Sequence, residues 1–585
     1  MIDLSRRRAI KLGFSAVGAA SVAATLQNPL WVHMAHASGS DGLSHGASPL
    51  GSLAYPADFQ SFNHRDPNAP KGGTLRLARV GAFDTLDTLR YPGRPPADMR
   101  VIYDRLVIAS PDEPASYYGH LADGVAITED FSTLSFRLAP DARWHDGTPV
   151  SVADVLFTFE TLKQDGAPFY RQAYRTVRVE QAGDRQIDFV NEGRPNRDLI
   201  SGLASLPIHP SHRSEPPGPE RLPLGSGPYR LVESDAPSRI VLERVPDYWA
   251  LGVGTVQGAF NFDQIAIRYY RDADVAFEAF RAGEYDVRQE TNPTRWRNGY
   301  ADLEDAQPAI RRSTTQSDGP GRVHGLVMNV RSGPLADQRV RKALHLSFDA
   351  DDTVNRLFGG FFQSVGSLFE STPFAAETFD PLADEPRPGT RDAGRLASTL
   401  LDEAGFELRG TQRIDPQTGE PVVLSAVSTN PLYEGVLGEV RLAFERIGIA
   451  LVPQVLEPSI ASRQLLDRNF DIATLAWNPG KLPGSAERLL WHSDLANRSG
   501  SYALSGLQDV ELDAALDELS AARSLSAAID AGQAFDRLLR ESFAFLPLWR
   551  DGEIRLAWRE GLACVETPGV GRSANFLADW WTSSA

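Results

Sequence analysis

FSTLSFRLAPDARWHDGTPVSVADVLFTFETLK, residues 131–163, is the stretch on which the fold turns. Ser151 and Asp154 stand in the S-x-x-D spacing of a capping box, where each residue satisfies an N–H that the first helical turn leaves free. Val155, Leu156, Phe159 and Leu162 follow at helical spacing, so SVADVLFTFETLK reads as an amphipathic helix. Asp146-Gly147 turns the chain into it. Outward from this unit, short apolar strand-like runs alternate with helix-like runs, and no fixed-period repeat is visible.

A second helix is expected from about Asp272 to Ala282, burying Val275, Phe277, Ala279 and Phe280, with Gly283 as its stop before a short strand at Tyr285–Val287. PVVLSAV (421–427), YEGVLGEVRLAFERIG (433–448) and IALVPQVL (449–456) read as β, α and β, a unit that favours a parallel sheet. The fold proper should begin near Thr74, after a turn-rich segment of Gly, Ser, His, Asn and Pro that runs from 38 to about 70. Loops are expected at 210–228, 364–392 and 478–486, where Pro and Gly are dense.

At roughly 150 residues per domain, 585 residues call for two or three lobes. Apolar residues at 42% and charged residues at 23% fit a folded globular chain. Acidic residues outnumber basic ones by 76 to 59, and a net charge of −17 argues against a nucleic-acid partner. One cysteine, Cys564, allows neither an internal disulfide nor a thiolate metal cluster.

Residues 1–37 read as an export signal: a basic start, an apolar stretch from Leu12 to Leu26, and an AHA ending at Ala37, where cleavage is expected. Ser5, Arg6, Arg7, Ile10 and Lys11 resemble the twin-arginine signal, with ordinary Sec export as the alternative. Removing Arg6, Arg7, Arg8, Lys11 and Asp3 takes the net charge from −17 to −20. The leader holds no cysteine for a lipid anchor, so the expected mature form is soluble in the periplasm.

Catalytic signatures are missing: no GxSxG elbow, Walker A loop, HExxH helix or kinase set occurs. His209 and His212 stand two residues apart around Pro210-Ser211 and read as a surface loop rather than a metal pair. Asp84 and Asp87 read as turn caps rather than catalytic carboxylates. The glycines of LPLGSGPYR read as a tight turn. Ten tryptophans stand out, and Trp477 and Trp549 each end a strand-like run, which suits stacking on a ligand as well as core packing.

The 131–163 stretch resembles the signature of family 5 extracellular solute-binding proteins, the peptide- and nickel-binding receptors of ABC importers. LGSGPYRLV with Asp247-Tyr248-Trp249 downstream, AFRAGEYDVRQE, LVMNVRSGPLADQRVRKALHLSFD and FDIATLAW carry the same resemblance, which covers about residues 50–582. Within the family, LAYPADFQSFNHRDPNAPKGGTLRLARVGAFDTLDTL, YDRLVIASPDEPASYYGHLADGV and PGSAERLLWHSD are most similar to the Yej-type oligopeptide and microcin C-binding branch.

That resemblance implies an α/β, two-lobed periplasmic-binding-protein fold with an extra inserted subdomain, mixed sheets and a hinge between lobes. Lobe 1 would span 48–289 plus 550–585, and lobe 2 would span 290–549. It implies ligand contacts at Phe83 and Asp84 on the first lobe, Trp477 and Asn478 on the second, and Trp549 at the hinge. Oligopeptide-binding relatives place an ammonium-binding aspartate shortly after the FDxxxxxW tryptophan, where this chain has Asn478-Pro479-Gly480. Glu487 or Asp84 would then supply the carboxylate, while Arg288 and Glu290 read as a structural ion pair.

The function so implied is a non-enzymatic, cofactor-free monomeric receptor that hands oligopeptides or peptide-like compounds to an inner-membrane ABC permease. The alternatives are the same fold around an oligosaccharide, opine or metal chelate, and a twin-arginine-exported periplasmic enzyme.

Overall fold

The computed structural model describes residues 42–193, 196–218, 220–303, 308–316, 321–498, 500–567 and 571–583, and it folds the 131–163 stretch into a strand, a turn and a helix. The expected export signal lies outside the described residues. In the strand Thr133–Leu138, Leu134, Phe136 and Leu138 face inward and the residues between them outward, the period of two that a half-covered sheet needs. The helix α1 (Val152–Asp165) begins at Ser151, whose N–H donates to Asp154 Oδ2 at 2.8 Å, as the capping-box spacing requires. Asp154 is buried and does more than cap. Its Oδ2 accepts from Trp144 Nε1 at 3.3 Å and its Oδ1 from Ser211 N at 2.7 Å, so one carboxylate ties helix, turn and the 209–212 loop together.

The longer strands of the first half are β1 (Thr74–Val80), β2 (Ala122–Ile127), β3 (Thr133–Leu138), β4 (Val177–Gln181), β5 (Gln186–Asn191), β6 (Tyr229–Asp235), β7 (Arg239–Arg244) and β8 (Gln264–Tyr270). They form two four-stranded sheets, β1-β8-β7-β6 and β2-β3-β5-β4. Only β1 and β8 run parallel. The second sheet carries α1 against Phe136 and Phe189 through Phe159, an inserted layer with its own short connections. The helix α2 (Leu199–Ala204) closes this half's edge, and α3 (Ala273–Arg281) follows β8. Asp272 caps α3 by accepting from Asp274 N and Val275 N. The buried face of α3 differs from the expected one: Val275 is 50% exposed and Ala276 takes its place beside Phe277, Ala279 and Phe280.

The second half contains β9 (Val287–Gln289), β10 (Ile310–Gln316), β11 (Val323–Met328), β12 (Gln363–Ser364), β13 (Val423–Ser428), β14 (Ala450–Val455), β15 (Ile472–Trp477), β16 (Phe545–Arg550) and β17 (Glu553–Arg559). Its helices include α4 (Gln338–Ser347), α5 (Glu434–Glu445), α6 (Ser485–Trp491) and α7 (Leu525–Glu541). A six-stranded mixed sheet runs β12-β16-β11-β15-β13-β14. The βαβ reading holds: β13 and β14 pair in parallel across α5, from Val423 opposite Ala450 to Ser428 opposite Val455. Every residue of β11 is buried, because helices cover both faces of its sheet. Leu326 and Met328 pack with α4 and α5, while Val323 and Val327 pack with α6 and α7.

A three-stranded antiparallel sheet, β9-β17-β10, forms from the stretches by which the chain leaves the first assembly and returns to it. The first core draws on Leu75 through Val287 and again on Leu556 through Trp580, whereas the cores on the six-stranded sheet draw on Val323 through Trp549. The chain therefore changes core between 287 and 323, and again between 549 and 556. Arg288 and Glu290 form a buried ion pair at 2.9 Å in this region, the structural role expected of them.

Glycines in LPLGSGPYR serve close approach rather than a ligand. A Cβ on Gly225 would lie 1.8 Å from Ile102 O, and one on Gly227 would lie 2.5 Å from Val101 O. The leading segment is also more than an extended arm: Tyr55, Phe59 and Phe62 cluster with Tyr118 at ring separations of 5.2–5.8 Å.

Candidate functional site

A cavity of about 970 Å³ opens beside the three-stranded sheet. Its lining includes Phe62, His64 and Arg65 of the leading segment, much of 97–109, Ser201–Ser205 at the end of α2, residues of 248–260, the β10 end at Thr315 and Gln316, and 572–579 near the C-terminus. Its volume lies in the range of small-molecule and peptide sites.

A buried hydrogen-bond cluster forms one wall. Asp104 Oδ1 accepts from Tyr248 OH at 2.7 Å and meets His120 Nε2 at 3.0 Å, and its Oδ2 accepts from Trp249 Nε1 at 2.8 Å. His120 Nδ1 reaches Thr255 Oγ1 at 3.0 Å. Burial and the Asp104 charge hold the Tyr248 phenol well above its ordinary pKa, so it stays a donor. The Asp247-Tyr248-Trp249 motif thus has a physical role, since two of its rings satisfy an aspartate in the cavity wall. Also in the lining, Arg65 donates to Asp579 Oδ1 at 3.1 Å and to Thr255 O at 2.6 Å, and Arg79 forms a two-point pair with Asp98.

None of the six residues expected to touch ligand lines this cavity. Phe83 is buried against Tyr269, with ring centroids 5.2 Å apart. Asp84 is exposed and its Oδ1 accepts from Arg94 N at 2.6 Å, a bridge across the loop and not the expected turn cap, whereas Asp87 does cap a turn, accepting from Leu89 N and Arg90 N. Trp549 is fully buried, stacked on His324 at 4.9 Å and Phe362 at 5.7 Å, and in this conformation it offers no surface to a solute. Its position at the end of β16 reflects core packing rather than a stacking platform.

Trp477, Asn478 and Glu487 do come together. Trp477 Nε1 donates to Glu487 Oε1 at 2.9 Å, and Gly484 N donates to Glu487 Oε2 at 2.6 Å, which fixes the start of α6. Asn478 is exposed and its Oδ1 accepts from Gly480 N at 3.1 Å. Burial, reinforced by the Asp198 charge, pushes the Glu487 carboxyl up to about 7. With both oxygens engaged and the side chain enclosed, Glu487 has no free face for a ligand ammonium.

The loop before α6 bridges to the first core. Ser485 N and Oγ donate to Asp198 Oδ2 at 2.7 and 2.9 Å, and Arg197 Nη2 donates to Pro483 O at 2.6 Å. Lys481 Nζ donates to Pro111 O in the same zone. His209, expected on a surface loop, is buried against Tyr103 at 4.1 Å, and burial lowers its pKa to about 4. His212 remains near the surface, 3.1 Å from Asp146. No group of His, Cys, Asp and Glu among the described residues could hold a metal ion.

Sequence reasoning missed Arg65, Arg79, Asp104, Arg105, His120 and Thr315 as cavity residues. They sit in separate stretches that only the fold brings together.

Comparison with known proteins agrees with the mixed-sheet α/β architecture. The probable peptide-binding protein YejA of Agrobacterium fabrum is 30% identical over 94% of this chain and 96% of its own. YejA of Escherichia coli is 30% identical over 88% and 90%. The Bacillus subtilis oligopeptide-binding protein AppA, solved with a nonapeptide, superposes with a TM-score of 0.69 at 18% identity, covering 88% of this chain and all of its own, and so shares the two-lobed fold. The profile of the bacterial extracellular solute-binding proteins, family 5, matches residues 116–497, and the chain belongs to that family.

Proposed function

We propose that the chain is an exported receptor that captures peptides or peptide-like compounds between two lobes and delivers them to an inner-membrane ABC permease. The observation that carries this reading is the bridge from 481–485 to 111 and 196–198, which joins the two cores, with a cavity of about 970 Å³ beside it at Pro111 that is lined by lobe 1 except at Thr315 and Gln316. YejA of Agrobacterium fabrum is named as a probable peptide binder, and AppA was solved with a peptide, which supports the same ligand class. In this reading lobe 1 is 48–289 with 550–585 and lobe 2 is 290–549, consistent with the two changes of core. The contacts of 481–485 with 111 and 196–198 then close the cleft, and ligand shifts the population toward that closed form. Residues 1–37 act as the export signal, and the mature receptor works as a monomer, without a lipid anchor.

The test is mass spectrometry of ligand retained by the natively purified protein, with thermal shifts in a mixed peptide pool. Retained peptides and a rise in melting temperature are expected, since a ligand that binds only the folded state stabilises it. A protein that retains no peptide and is unmoved by the pool overturns the assignment.

A further inference from the structure

The arginines around the cavity are unequal. Arg65 is held by Asp579 and Thr255 O, Arg79 by Asp98, and Arg572 by Glu566. Arg105 is largely buried, lines the cavity, and makes no side-chain hydrogen bond or ion pair among the described residues; its Nε is sealed from solvent without a partner. Arg100 lines the same cavity from the short helix Ala97–Ile102 and likewise has no side-chain partner among the described residues. The two guanidiniums repel each other, and burial together with Arg100 lowers the Arg105 pKa. The nearest acidic neighbour in sequence, Asp104, already accepts from Tyr248, Trp249 and His120.

A largely buried guanidinium with no hydrogen-bonded partner, and with only the charge of the already engaged Asp104 to offset burial and Arg100, is costly to the folded protein. An arriving carboxylate would remove that cost and gain the planar, two-point geometry that guanidinium offers. We propose that Arg105, with Arg100 beside it, anchors a carboxylate of the ligand and makes the cavity selective for peptides that carry one, on an acidic side chain or at a free C-terminus. This rests on the peptide-receptor reading and narrows it to a charge class.

The experiment is a competition among four tetrapeptide pools. One position is Glu in two pools and Gln in the others, and each composition comes with a free or an amidated C-terminus. Bound and free peptides are counted by mass spectrometry for the native protein, Arg105→Gln and Arg105→Lys. A charge-assisted pair that is lost costs about tenfold or more in affinity. The native protein should therefore enrich one carboxylate-bearing arm at least tenfold over its neutral counterpart. Arg105→Gln, shown folded by its melting temperature, should lose the enrichment, and Arg105→Lys should keep part of it. Loss on Glu-to-Gln exchange names the side chain as the source, and loss on amidation names the terminus. Equal retention of all four pools by the native protein overturns the proposal, whatever the variants do, as does full enrichment surviving in a folded Arg105→Gln. Failure of every pool to bind overturns the peptide reading itself, and the proposal with it.

Discussion

Replacing Glu487 by Gln should remove a pH dependence of stability between about pH 4.5 and 7. The carboxyl is fully enclosed at the start of α6, and burial raises its pKa from the ordinary 4.5 to about 7. Between those values the folded protein keeps a proton that the unfolded chain gives up. Stability therefore falls as pH rises through the window: the penalty is absent below the unfolded pKa and complete above the folded one. At about 1.4 kcal/mol per pKa unit, the shift corresponds to about 3 kcal/mol. Gln keeps one oxygen for Trp477 or Gly484 but has no proton to lose. Urea unfolding of both proteins at steps from about pH 4.5 to about pH 8 measures the difference. The native protein should lose about 3 kcal/mol relative to the variant across the window and then level off. A difference constant to within about 1 kcal/mol, or one that moves in favour of the native protein as pH rises, would refute the burial argument.

Asp154→Ala leaves Ser151 N, Trp144 Nε1 and Ser211 N without their acceptor in a buried place, and urea denaturation should show a loss of about 3 kcal/mol or more. A loss below about 1 kcal/mol would mean that water replaces the carboxylate. Gly225→Ala drives a Cβ to 1.8 Å from Ile102 O and should abolish soluble expression or sharply lower the melting temperature, whereas Gly218→Ala, with nothing within 4 Å, should leave both unchanged. Asp198→Ala removes the acceptor of Ser485 N and Oγ; small-angle scattering should show a larger radius of gyration, and peptide affinity should fall several-fold, while an unchanged radius would count against these contacts as the closing bridge.

Local spacing made α1, its capping box and the β13-α5-β14 unit readable, because those contacts lie within a few residues or one crossover. What Asp154 adds through Trp144 and Ser211 was out of reach, since the Ser211 partner is 57 positions away. Val275 has the right spacing for a buried face, but the neighbours of α3 cover Ala276 instead, and only packing decides between adjacent faces. The candidate site was legible only in part. Trp477 and Glu487 were singled out and do meet, yet as partners of each other. Trp549 carried the residue type of a stacking platform and went into the core with Phe362 and His324. The absence of a partner for Arg105 among the described residues is a property of assembled space, and no stretch of sequence displays it.

The first core is finished by the end of the chain. Leu556, Trp558, Cys564, Phe576 and Trp580 pack with residues between Leu75 and Val287. At translation rates of roughly 5–20 residues per second, the earlier part of that core waits roughly 15–60 s for its last tryptophan. Until then its apolar surface stands uncovered, and the six-stranded sheet likewise waits for its interior strand β16, made only shortly before Trp580. Both halves are thus completed by the last part of the chain, and the unfinished first half is the species on which chaperones would act.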